Sequence, residues 1–404
     1  MERFELVVRD ASAERTCDIS FLNREAADKA RAFHRSYEGY QETPLVELDG
    51  LAETLGVAAI SVKDESDRFG LDAFKALGAS YAMGNYLAQK LGIDPAEMTF
   101  PRAVSEETRK QVGEVTFVTA TDGNHGRGVA WTARQLGQRS VVYMPRGSAL
   151  ERLENIRAEG ARADIMDMNY DDAVRLAREK AETEGWALIQ DTAWEGYTEV
   201  PAWIMQGYTT MAAEAVEQMK QPPTHVFLQA GVGSMAGAVA GFLANYYGEN
   251  KPCMIVVEPQ KADCVFRTAK ANDGKLRVVT GDMDTIMAGL ACGEPCTIAW
   301  EVLRDYADAY LSCPDYAAAD GMRILAAPVA GDVPVVSGES GASAFGCAVN
   351  LLTDPELAER KERLGLNQQS RLLFISTEGA TDRKNYRNVV WFGKHSRPFD
   401  LERK

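Results

Sequence analysis

The chain has 404 residues, above the ~250–300 at which one hydrophobic core stops growing, so it divides into more than one domain. Its 44 Lys and Arg against 59 Asp and Glu leave a net charge of −15, which excludes partners that need a basic face: nucleic acid and anionic membranes. Hydrophobic residues at 46% and charged residues at 25% are ordinary globular usage and exclude a disordered composition.

Neither the seven cysteines nor the four histidines (His34, His125, His225, His395) show metal-site spacing, so no metal is expected. Scattered cysteines read as reduced core residues, with a Cys264–Cys292 pairing left open. The first residues, MERFELVVRDASAER, are charged throughout and read as neither signal nor transit peptide. No run approaches the ~18 apolar residues of a membrane span, and the expectation is a cytoplasmic protein.

In chain order, AAISVKD (58–64) predicts a strand and AFKALGASYAMGNYLAQKLG (73–92) a helix. VTFVTAT (115–121) and SVVYMP (140–145) predict strands, with helices over 126–137 and 149–160. ADIMDMN (163–169), a helix over 171–185 and WALIQDT (186–192) continue the alternation, followed by strands at 224–230, 253–259 and 371–377. Strands separated by helices of 10–20 residues call for parallel βαβ units with helices on both sheet faces. Ligands of such sheets sit at the carboxyl ends of the strands.

The loop Gly231-Val232-Gly233-Ser234-Met235-Ala236-Gly237 follows one of these strands and opens an apolar helix. Small residues there let backbone N–H groups and the positive helix terminus approach an anion. Glu258 after the next strand gives a partial dinucleotide fingerprint, so the loop alone admits NAD or flavin, a phosphate monoester, or a plain tight turn.

Lys75 stands among Ala73, Phe74, Ala76 and Leu77, and locally it reads as a helix-surface lysine. Lys63, Glu65, Gly70, Phe74, Lys75 and Gly78, with Thr43-Pro44-Leu45 upstream and Gly123-Asn124-His125 downstream, resemble the fold type II pyridoxal-phosphate enzymes. The resemblance implies two interleaved, open, twisted and mostly parallel sheets with helices on both faces, in a large domain (1–87 and 186–404) and a small one (88–185). It implies that pyridoxal 5'-phosphate is bound by Lys75 as a Schiff base, and that Gly231, Val232, Gly233, Ser234 and Met235 hold its phosphate. Asn124 is implied for its 3'-oxygen. Ser376, with Thr377 as alternate, is implied for its ring nitrogen, from the resemblance of Ser376-Thr377-Glu378-Gly379-Ala380-Thr381-Asp382 to an S-G-x-G-x-x-D segment.

Thr121, Asp122 and Gly123 lie where that family receives the substrate carboxylate, but a small neutral residue is usual at 122. A carboxylate repels an anionic amino acid unless the substrate brings a second cation; unit charges ~4 Å apart interact by about 4 kcal/mol at an effective dielectric of 20. The structural alternative is an Asp that caps the next helix. A side-chain ammonium on the β-carbon means 2,3-diaminopropionate. TDGNHGRGVAW (121–131), QDTAWEGYT (190–198), IMAGLACGEP (286–295), SGESGA (337–342), Met205-Gln206-Gly207-Tyr208 and Trp391 resemble the diaminopropionate ammonia-lyase family over nearly the whole chain. That implies β-elimination of both isomers to pyruvate and two ammonia. Lys75 would be the base for the L-isomer, Asp122 for the D-isomer, and Asp191 a second substrate-facing carboxylate. A homodimer is implied too. The alternatives are a serine or threonine dehydratase of this fold, or an NAD-dependent oxidoreductase using Gly231–Gly237.

Overall fold

Short runs of β-branched and apolar residues, buried on both faces, build two parallel sheets whose carboxyl ends face each other. The computed structural model describes residues 3–10, 12–121, 123–329 and 331–397. Its strands are β1 (Glu5–Val8), β2 (Leu45–Glu47), β3 (Ala59–Asp64), β4 (Thr116–Ala120), β5 (Arg139–Met144), β6 (Arg162–Ile165), β7 (Ala187–Leu188), β8 (His225–Gln229), β9 (Cys253–Pro259), β10 (Ala309–Cys313) and β11 (Arg371–Ser376). The larger sheet runs β1-β10-β9-β8-β11-β3-β2, and the smaller β6-β5-β4-β7. The larger is parallel except for its edges, where β1 and β2 pair antiparallel; the smaller is parallel throughout. Every residue of β8 and β10 is buried, as a parallel sheet covered on both faces requires.

Strand order reverses once in each sheet. In the larger it grows outward from β8 to β9 and β10, while β11 and β3 lie on the other side. In the smaller, β5 and β6 lie on one side of β4 and β7 on the other. At such a reversal neighbouring loops leave in opposite directions and open a crevice at the carboxyl edge. The expected strand over 186–192 shrinks to Ala187–Leu188 for that reason. Gln190 leaves the ladder, and its side-chain amide takes over the pairing: Oε1 accepts from Ala120 N and Nε2 donates to Ala120 O, at 3.0 and 3.1 Å. The strand over 163–169 likewise stops at Ile165, and β1, β2 and β10 come in addition to the predicted strands.

Two contacts place Lys75. The helix Ala76–Leu91 crosses the helix Glu199–Gln218 at a pair of glycines, where a Cβ on Gly207 would lie 2.5 Å from Leu77 O and 2.8 Å from Gly78 Cα. Ahead of it, Phe69 and Asp72 adopt positive φ (55° and 56°), costly for side chains with a Cβ. A buried ion cluster adjoins them. Arg68 forks onto Glu65 at 2.8 Å through both nitrogens and onto Glu214 at 2.7 and 3.0 Å, while Lys63 pairs with Glu214 at 2.7 Å. All four side chains are fully buried, and two cations against two carboxylates leave no charge uncompensated.

All seven cysteines carry free thiols, Cys264 and Cys292 included, and five are buried. No group of His, Cys, Asp and Glu among the described residues could hold a metal.

Candidate active site

Both reversals open on one cavity. From the larger sheet, the loop after β8 brings Gly231, Val232, Gly233, Ser234 and Met235, and the end of β11 brings Thr377 and Glu378. From the smaller sheet, the end of β4 brings Thr121, Asn124 and His125, and the end of β7 brings Asp191. Lys75 enters from the turn after β3, beside Phe74.

The Lys75 ammonium pairs directly with Asp191 Oδ2. Burial pushes the amine down, but Asp191, then Tyr208, outweigh it and hold Lys75 above the usual lysine range. Burial raises Asp191, while His125 and Lys75 pull it down to about 2. Burial also keeps His125 below its ordinary range. The pull on Asp191 therefore belongs to Lys75, the cation in direct contact. Tyr170 Oη donates to Asp191 Oδ1 at 3.4 Å, and Ser234 Oγ donates to the Asp191 carbonyl at 2.5 Å, tying this loop to the glycine turn.

Opposite the lysine, Gly231–Gly233 lead into the helix Ser234–Tyr247. Gly233 sits at φ 97°, a left-handed conformation that favours glycine, and a Cβ on Gly231 would come within 3.2 Å of Cys292 Sγ, Gly289 O and Leu290 Cα. The two glycines bare the backbone here, at a helix terminus whose first N–H groups have no intrahelical acceptor. Glu258 does not reach it. Its carboxylate accepts from Val265 N and Phe266 N at 3.0 and 2.5 Å, capping the helix Cys264–Ala271. The acidic half of the dinucleotide fingerprint is spent on structure.

Thr121 lines the cavity and its Oγ1 accepts from Gly123 N at 2.9 Å. Gly123 lies behind the wall, where a Cβ would meet Arg152 Cδ at 2.7 Å. Asp122 lies outside the described residues. Asn124 Nδ2 donates to Glu378 Oε2 at 2.5 Å. The two ring-nitrogen candidates part company: Thr377 lines the cavity and its Oγ1 accepts from Gln229 Nε2 at 3.0 Å, whereas Ser376 bonds Ser337 Oγ at 2.8 Å away from the lining. His125, Tyr170, Cys292, Ser340 and Glu378 also line the cavity and were not singled out from the sequence. His125, Cys292, Ser340 and Glu378 stood inside motifs named above; Tyr170 alone of these five had no local signal.

The family model for pyridoxal-phosphate dependent enzymes matches residues 37–366. The diaminopropionate ammonia-lyase of Salmonella typhimurium is 51% identical over 381 residues, 93% of this chain and 94% of that protein. The chain belongs to the diaminopropionate ammonia-lyases. Two solved structures of the Escherichia coli member, one with an aminoacrylate–PLP azomethine reaction intermediate and one with D-serine, superpose with TM-scores of 0.90 and 0.91. Each is 47% identical and covers 98% of this chain, and 99% and 98% of its own. The cavity fits the cofactor of these pyridoxal-phosphate-dependent lyases. Gly231 and Gly233 leave the backbone open to a phosphate, and Lys75 and Thr377 line the same cavity.

Proposed function

We propose that this chain is a pyridoxal-phosphate-dependent lyase that removes both amino groups of 2,3-diaminopropionate, giving pyruvate and two ammonia. The observation that carries it is the buried Asp191 carboxylate in direct contact with Lys75. A neutral amino acid has no cation to offer Asp191; a β-ammonium does. When the substrate's cation takes that place, two cations compete for one buried carboxylate, and Lys75 is the one that can shed its proton. The neutral amine is then the base for the Cα proton of the L-isomer.

The bound cofactor supplies the electron sink for the charge left on Cα. Lys75 would hold it covalently, Gly231, Val232, Gly233, Ser234 and Met235 its phosphate, Asn124 its 3'-oxygen and Thr377 its ring nitrogen. A neutral hydroxyl at that nitrogen leaves it unprotonated, which suits elimination over transamination. Thr121 is assigned to the substrate carboxylate, and Gly123, which gives its N–H to Thr121 Oγ1, orients that hydroxyl from behind the wall. Asp122 is assigned as the base for the D-isomer on its sequence position alone.

No helix among the described residues is long and apolar enough to cross a membrane. Free thiols suit a reducing compartment, and we assign the chain to the cytoplasm. The neighbouring Trp391 and Phe392, 68% and 76% exposed, support a homodimer in which a second copy covers them.

The test is pyruvate release by the purified holoenzyme from D- and L-2,3-diaminopropionate and L-serine in parallel. Release from diaminopropionate with little from serine is expected. A preference for serine would make the chain a dehydratase of this fold, and no release from any of the three would overturn the lyase reading.

A further inference from the structure

Asp191 has a second neighbour, one that the base assignments leave without a task. His125 borders the cavity and is 2% exposed. Its Nε2 lies 2.8 Å from the carbonyl of Ile189. A carbonyl only accepts, so Nε2 carries the hydrogen and the neutral ring keeps a lone pair on Nδ1. That Nδ1 is buried with no hydrogen-bond partner among the described residues. Asp191 Oδ2, the same oxygen that pairs with Lys75, stands 3.8 Å from it.

A buried lone pair facing a carboxylate becomes favourable once a proton occupies it. The charged groups that reach the ring are Asp191, which favours that proton, and Lys75, which opposes it; burial opposes it most. When Lys75 is neutral, one of the two restraints is gone. Lys75 Nζ, Asp191 Oδ2 and His125 Nδ1 thus form a row along which a proton can pass.

We propose that His125 Nδ1 is the proton store of the elimination, loaded from Lys75 through Asp191 and discharged onto the departing β-amine. The inference rests on the diaminopropionate reading. Two ammonium groups on adjacent carbons repel, so the β-ammonium that Asp191 attracts releases one proton to water as it settles in the cavity, and the uncharged amine needs one to leave as ammonia. The balance closes within the site. The Cα–H bond breaks and its pair forms the Cα=Cβ bond, while the Cβ–N pair leaves on nitrogen. The Cα proton goes to Lys75 Nζ, by way of Asp191 Oδ2 to Nδ1, and from Nδ1 to the leaving nitrogen.

His125→Gln tests this, because a glutamine amide can still donate to the Ile189 carbonyl but offers no base. In the holoenzyme, turnover of diaminopropionate should fall about 100-fold, the range of a general acid. β-Chloroalanine, whose chloride leaves without a proton, should still react at close to the wild-type rate. An equal fall with both substrates would make His125 structural, and no fall with either would remove it from the reaction. A wild-type enzyme that turns over β-chloroalanine but not diaminopropionate would sink the functional reading instead. An independent readout is the imidazole ¹⁵N spectrum of the cofactor-free chain, assigned by the signals missing in His125→Gln. Lys75→Ala should keep Nδ1 protonated to higher pH than wild type, and an unchanged titration would overturn the coupling.

Discussion

Asp191 does at one residue what the cavity does as a whole: it selects for charge. It is 4% exposed, and Lys75 holds its carboxyl down to about 2. Asp191→Asn removes the anion and keeps the shape. Losing one partner of a buried charge pair costs about 2–5 kcal/mol, so kcat/KM for diaminopropionate should fall roughly 30-fold or more. β-Chloroalanine, which brings no second cation and whose chloride leaves without a proton, should lose much less, and the ratio of the two rates measures the effect. A common fall for both would return Asp191 to a general binding role. The spacing of the 376–382 segment put Ser376 first at the ring nitrogen and Thr377 second, although consecutive residues at a strand end face opposite ways. The structure turns Ser376 toward Ser337 and Thr377 toward the cavity. Glu378, next in line, was equally silent. Its partner Asn124 is 254 positions away and meets it only because two loops converge.

At the scale of elements, the position of Lys75 depends on how closely two helices approach. Gly207 allows it, and Gly207→Ala puts a methyl 2.5 Å from the Leu77 carbonyl, a backbone atom that cannot move aside as a side chain would. Overpacking of this kind costs about 1–3 kcal/mol. The urea midpoint should drop accordingly, with a loss of turnover beyond the loss of folded protein, since Leu77 lies two residues from Lys75. An unchanged midpoint would show that the helices part freely. The other eight strands were legible in the sequence, because burial on both faces writes itself as consecutive Val, Ile, Leu and Phe. The strands that escaped are short or peripheral. β2 has three residues, β1 is an edge four residues long, and β10 reads AYLSC, with polar and small residues among its five. Pairing with neighbours makes them strands, and pairing is not a local property. The resemblance supplied the cofactor and the lysine, but the contacts among Lys75, Asp191 and His125 needed both crevices.

At the scale of the molecule, buried carboxylates of two kinds set how stability varies with pH. Burial raises Glu214 and Asp305, but Arg68 and Lys63 for the first, and Arg304 with the N–H groups of Cys17 and Thr16 for the second, bring each down to about 2. Their folded values lie below the unfolded ~4. Their contribution is complete above about pH 5 and is lost as pH falls toward 2. Glu339 runs the other way. Burial, then the neighbouring Glu378, lift it to about 7 against the pull of Arg152 and an Asn385 hydrogen bond. Between about pH 4.5 and 7 the folded chain therefore binds the extra proton, and stability falls as pH rises. Self-repulsion at a net charge of −15 has the same sign. The two slopes give a maximum near pH 5. Glu339→Gln keeps an acceptor for Asn385 and removes the ionisation, so it should raise the melting temperature at pH 8 and leave it nearly unchanged at pH 5. If melting curves at the two values shift equally, the alkaline slope comes from the net charge and not from Glu339.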